Sequence, residues 1–204
     1  MTFQVNLRRR SSGSKYRLCA GYSMIKVLII HIIFGTLSLL AALGAILCAK
    51  GKYYHRLFGS VFYWSMLGIF ITAIPLALLN HNIFLLVIAL FSFYLAFSGR
   101  RFAKNRYANA SLIDWFAVMI LFFSGIAMLV LGVIDFTEDG QQYIILFVFS
   151  IISLTISYRD YKGHKDKSIV GKTRIAKHLT NMLAATIAVI TAVIVTNFHF
   201  QPIL

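Results

Sequence analysis

VLIIHIIFGTLSLLAALGAILC, from Val27 to Cys48, holds no Asp, Glu, Lys or Arg. A segment in hydrocarbon must satisfy its own backbone N–H and C=O groups, so an apolar run of this length without period-two alternation is a helix that crosses a bilayer. Further runs follow at Leu57 to Leu79, Ile83 to Gly99, Ala110 to Ile134, Gln142 to Tyr158 and Leu179 to Phe200. The sequence therefore predicts an all-α, polytopic membrane helix bundle with six transmembrane helices. The third and fifth runs have about 17 residues each, or roughly 25 Å at 1.5 Å per residue, which is marginal for crossing. Pro75 falls late in the second run, where it is expected to kink the helix.

Composition agrees with this reading. Of 204 residues 59% are hydrophobic and 13% charged, and the mean hydropathy is +0.80, so the bilayer is the main solvent and no stretch remains for a soluble catalytic domain. No P-loop, zinc-protease helix, serine nucleophile elbow or dinucleotide-binding glycine pattern occurs. Cys19 and Cys48 form neither a disulfide framework nor a metal-binding spacing. The net charge of +14 does not point to nucleic acid, because the cations lie in connections between apolar runs rather than along one soluble surface.

Those cations are unevenly distributed. Lys50, Lys52 and Arg56 surround the first connection, Arg100, Arg101, Lys104 and Arg106 the third, and Arg159, Lys162, Lys165, Lys167, Lys172, Arg174 and Lys177 the fifth. The second connection has Asn80, His81 and Asn82, and the fourth has Asp135, Glu138 and Asp139. The positive-inside rule then places connections one, three and five in the cytoplasm and both termini outside. Residues 1–23, with Arg8, Arg9, Arg10, Lys15 and Arg17, read as a basic extension that need not be native. Met24 directly precedes the first run and is the expected natural start, leaving 24–204 as a single six-helix domain; the rival reading is a genuine basic cytoplasmic tail.

The first two runs open on related strings. His31-x-x-Phe34-Gly35-Thr36 continues to Leu43-Gly44, and His55-x-x-Phe58-Gly59-Ser60 continues to Leu67-Gly68. The shared pattern H-x-x-F-G-[ST]-x6-L-G reads first as small-residue helix packing and second as an internal duplication. On the first run His31, Gly35, Ser38, Ala42 and Ala45 share one helical face, which should point into the bundle. On the last run Thr180, Ala184, Ala188, Ala192 and Thr196 form a four-residue stripe that would admit a close neighbour, either a helix of the same chain or a second copy in a homo-oligomer. Tyr53, Tyr54, Tyr63, Trp64, Tyr94, Trp115, Tyr143 and Tyr158 read as interfacial aromatics at span ends.

The candidates for chemistry are histidines. His55 and His178 each open a span at the basic border, and two histidines on facing helices suit axial ligation of a haem b, with Arg56 and Lys177 beside them to receive its propionates. The bland alternative is that both rings only meet water and headgroups. His31 lies about a turn inside the opposite border and needs a polar partner; Asp135 is a candidate, and a structural hydrogen bond to backbone or water is the reading placed ahead of a proton relay. Asp114, beside Trp115, serves either as the partner of a basic connection or as a first-turn acid at a helix start. His81, His164 and His199 carry no assignment.

Lys50-Gly51, His55-Arg56, Gly59 and the late His178 give the chain a resemblance to small bacterial multi-pass membrane proteins of unknown function. Those proteins carry a similar K-G-x3-H-R-x2-G junction between their first two helices. The resemblance implies a bacterial inner-membrane setting and no particular activity. The expected function is accordingly that of a structural or accessory membrane protein whose partner is the lipid bilayer. Two alternatives are a haem or quinone redox protein built on the paired histidines, and a small transporter or channel, for which His31, Ser38, Thr72, Asp114 and Thr155 are sparse material.

Overall fold

A computed structural model describes residues 4–79, 82–138 and 142–197, with side chains described within 24–79, 82–138 and 142–194. The expectations for the side chains before Met24, and for His81 and His199, lie outside the described residues. Six helices follow one another: α1 (Gln4–Leu47), α2 (Tyr53–Leu79), α3 (Ile83–Lys104), α4 (Leu112–Thr137), α5 (Tyr143–Lys165) and α6 (Gly171–Asn197). Each contains a stretch long and apolar enough to cross a membrane, that of α1 being Met24–Leu47.

The surface is that of a membrane protein. Leu40, Trp64, Phe123, Ile151 and Ile187 are among the many large apolar side chains that point away from the bundle on every helix. Water would not tolerate such a continuous apolar belt, whereas lipid tails cover it without cost.

The helices are longer than the apolar runs. The third and fifth, read as marginal at about 17 residues, span 22 and 23 residues. They continue because Arg101 and Asp160, which look like loop residues in the sequence, find partners inside the bundle. The last helix begins at Gly171 rather than Leu179, which places His178 two turns inside it instead of at its start. α2 passes through Pro75 without ending.

Four of the helices close a ring: α1 packs on α2, α2 on α3, α3 on α6 and α6 on α1. Every neighbour in that ring runs antiparallel. The hairpin of α4 and α5 lies outside it, with α4 seated on α3. Along this hairpin Ser150 Oγ donates to the Gly125 carbonyl at 2.8 Å and Ser153 Oγ to the Leu121 carbonyl at 3.1 Å, so small residues bring the backbones close and serines tie them. Connections one, three and five lie together at one end, here termed the basic end. Gly51 has φ +77° in the first of them, a left-handed conformation that favours glycine and accounts for the Lys50-Gly51 junction.

The repeated string of the first hairpin is a reciprocal packing device. Phe34 of the first copy covers Gly68 of the second, while Phe58 of the second covers Gly44 of the first; a Cβ on Gly68 or Gly44 would lie 2.6 Å or 2.8 Å from the opposing ring. Two antiparallel helices with the same pattern present each phenylalanine to the other's glycine.

The small polar face of α1 points inward as read, with Ser38 and Ala42 buried. The buried line of α6 runs one residue beyond the stripe, whose Ala184 and Ala188 are half-buried at its edge, Ala184 against the core. Asn181, Ala185 and Val189 are buried, whereas Thr180 and Ala192 are exposed and the side chain of Thr196 lies outside the described residues. The rotation is set by α3, where Asn181 Nδ2 donates to Ser98 Oγ at 2.8 Å. Tyr94 also departs from the interfacial reading, because it is buried in mid-bundle with its hydroxyl on a carboxylate.

Candidate functional site: a histidine pair in the four-helix ring

His55 and His178 meet at the basic end of the four-helix ring. Their ring centroids are 6.4 Å apart and their planes are perpendicular. His55 stands in the first turn of α2, and His178 reaches it from α6. Each ring is fixed by a third and a fourth helix: His55 Nδ1 bonds the Ala45 carbonyl of α1 at 2.9 Å, and His178 Nδ1 bonds the Gly99 carbonyl of α3 at 2.8 Å. Ala45 is near the end of α1, where the last carbonyls lack an intrahelical donor, so an imidazole N–H is a suitable partner.

These bonds decide the tautomer. A carbonyl oxygen only accepts, so Nδ1 of both rings must carry the proton, and in the neutral imidazoles Nε2 keeps its lone pair. The spacing also has a chemical meaning. A metal held by two imidazoles sits about 2 Å from each nitrogen, and the ring centres lie roughly 1 Å farther back, giving about 6 Å between centroids. Among the described residues no cluster of three or more His, Cys, Asp or Glu side chains could hold a metal ion. A donor set of two suffices for an iron whose other four positions are supplied by a porphyrin, whereas a zinc site needs three or four protein ligands.

The surroundings differ from the sequence reading. Gly59 lies one turn from His55 on the same face, and a Cβ placed there meets nothing within 4 Å, so open space adjoins the pair. Asn181 and Met182 pack over Gly99, where a Cβ would meet them at 3.3 Å and 3.1 Å. Lys177 is not available to a propionate, since it forms an ion pair with Asp160. Arg56 is exposed. Arg100, which the sequence reading left unassigned, lies across the ring of Tyr63 with its Cζ 4.2 Å from the centroid, and its Nη1 is buried without a hydrogen-bond partner among the described residues.

The other polar candidates, His31, Asp135 and Asp114, are dispersed. His31 bonds Thr72 Oγ1 at 2.8 Å rather than Asp135. Because the Thr72 hydroxyl donates to the Gly68 carbonyl at 2.7 Å, its oxygen receives the imidazole N–H. Asp135 closes the turn between α4 and α5 by accepting the Gln142 N–H at 2.7 Å. Asp114 is at the other end of α4, where both readings hold together: it accepts from Ser111 N at 2.8 Å at the helix start, and from Arg101 Nε and Nη2 at 2.6 Å each. That fork joins α3 to α4 and is structural.

A second polar group is illegible in the sequence. Asp160 of α5 accepts a 2.7 Å bond from the Tyr94 hydroxyl of α3 and pairs with Lys177 of α6. His164, one turn farther along α5, is packed between Phe102 and Trp115, with ring centroids 5.8 Å away in both cases. Only the helical continuation past Tyr158 would have indicated Asp160, because a carboxylate in a connection and one in a buried turn have the same local sequence.

Comparison with protein families, with curated proteins and with solved structures found no match.

Proposed function

We propose that this chain is a b-type haem protein of the membrane in which His55 and His178 are the two axial ligands. One observation carries the reading: two imidazoles from facing helices, with ring centroids 6.4 Å apart, are each held at Nδ1 by a backbone carbonyl, which leaves the Nε2 lone pair of the neutral ring for a metal. Haem iron with two imidazole ligands supplies one-electron transfer. The residues of the chain contribute position and tautomer: Ala45 and Gly99 hold the rings, and glycine at position 59 leaves room beside them. The two-donor set fits an iron already held by a macrocycle better than a lone cation.

Absorption spectroscopy of the detergent-purified protein, with and without added haemin, tests this. The expected result is a low-spin, six-coordinate spectrum in the wild type. His55→Ala and His178→Ala should each lose it while retaining helical circular dichroism. A folded wild type that binds no haem ends the proposal and leaves the pair a structural contact.

The basic end is proposed to face the cytoplasm, with both termini outside, in a bacterial inner membrane. The support is the concentration of Lys and Arg at connections one, three and five, together with the short junction that resembles bacterial membrane proteins. A reporter active only in the cytoplasm should work when fused after Lys104 and fail after Gly140. Activity at the second site alone overturns the orientation.

A further inference from the structure

Arg100 follows Gly99, whose carbonyl holds His178. Helical side chains lean toward the amino terminus of their helix, and that of α3 lies at the end opposite the basic one. The guanidinium is thereby drawn back along α3 from the basic end, and it lies over Tyr63 and within 5.5 Å of the ring centroid of Trp64, itself exposed to lipid. Tyr63 stands two turns along α2 from His55, with the open position at Gly59 between them. His55, the open position at Gly59, and Tyr63 with the guanidinium over it therefore follow one another at one-turn steps along α2.

A ring face balances the charge of a guanidinium but accepts none of its N–H bonds, which lie in the guanidinium plane and point away from the ring. Nη1 is buried and has no partner among the described residues. The buried carboxylates are already engaged, Asp114 by Arg101 and Ser111, and Asp160 by Lys177 and Tyr94. A buried donor on a fixed cation calls for an oxyanion from outside the chain, and the fork of arginine matches a carboxylate.

We infer that Arg100 is a cofactor-binding residue that receives a carboxylate of the tetrapyrrole held between His55 and His178. This rests on the haem reading and changes one part of it: the cation beside the propionate is on α3, not at Arg56 or Lys177. The competing source of an oxyanion is the phosphate of a lipid headgroup, and the two separate experimentally.

Titration in an uncharged detergent with haemin, and in parallel with haemin dimethyl ester, reads the carboxylate directly. A variant carrying both His55→Ala and His178→Ala measures uptake by the micelle alone. The wild type should bind the free acid about tenfold more tightly than the ester, the scale of one charge-assisted bond. Arg100→Met should bind both forms equally, at the ester's affinity, and keep the low-spin spectrum of two imidazole ligands; Arg100→Lys should restore part of the preference. A wild type that binds both forms equally overturns the inference while leaving the haem reading intact, and so does an Arg100→Met protein that still prefers the acid. Stabilisation by added phosphatidylglycerol that is lost in Arg100→Met, without any preference between acid and ester, assigns the site to lipid and likewise overturns it. If Arg100→Met does not fold, the wild-type comparison and Arg100→Lys decide. A wild type that takes up neither form ends the haem reading and this inference together.

Discussion

Lys177→Met should destabilise the bundle by about 3–5 kcal/mol, because it leaves the Asp160 carboxylate buried without its cation. The Asp160 side chain is 3% exposed and that of Lys177 is 21% exposed, so water cannot replace the ammonium. Tyr94 offers one neutral hydrogen bond to the same carboxylate, too little for a charge at this depth. Adding Asp160→Asn to Lys177→Met removes the charge and should recover most of the loss, since the amide oxygen still accepts from Tyr94. Unfolding in mixed micelles, followed by circular dichroism, measures all three proteins. A Lys177→Met protein within 0.5 kcal/mol of wild type would mean that Asp160 is hydrated and that the contact does not fasten α5 to α3 and α6. The prediction matters for the histidine pair because Lys177 adjoins His178, so a loosened α6 would also displace that ligand.

Gly68→Val should destabilise the first hairpin by about 1–3 kcal/mol, the usual cost of forcing bulk into a packed interface. Even a methyl group at Gly68 would lie 2.6 Å from the Phe34 ring, and one at Gly44 would lie 2.8 Å from Phe58. Neither ring has a free end to move, because the close atoms include the ring carbon attached to the side-chain stem. The reciprocal geometry makes a sharper statement than either substitution alone. Phe34→Ala should relieve Gly68→Val but not Gly44→Val, and Phe58→Ala should do the reverse. Double-mutant cycles on the same unfolding measurement test the pairing, and strict additivity for Phe34 with Gly68 would show that the two do not meet.

The repeated string of this hairpin shows where sequence reading succeeds and stops. Its five shared residues are visible in the sequence, and packing by small residues is the first reading of them. Which phenylalanine covers which glycine was not visible, because that depends on the register of two antiparallel helices across the five residues 48–52 between them. Similarly, Asp114 was legible as an acid in a first helical turn, a local property. Its fork with Arg101 was one of two readings and needed α3 and α4 to be brought together. The hydrogen bond of His31 is structural, and its partner is Thr72 rather than the candidate Asp135, since several polar residues share its depth and only adjacency distinguishes them.

What the chain determines by itself is local: six helices, their approximate centres, the burial of the Ser38 face and the clustering of cations at alternate connections. Each follows from a rule that needs no neighbour, since backbone groups in lipid are satisfied within the segment and length sets the crossing. What only the tertiary structure decides is non-local. The ring of α1, α2, α3 and α6, the one-residue rotation of α6, the helical continuation that buries Asp160, and the meeting of His55 with His178 all depend on which surfaces interlock. Lipid-facing and helix-facing surfaces are alike in hydropathy, so composition cannot tell them apart; close approach of small residues and a few interhelical hydrogen bonds make the choice.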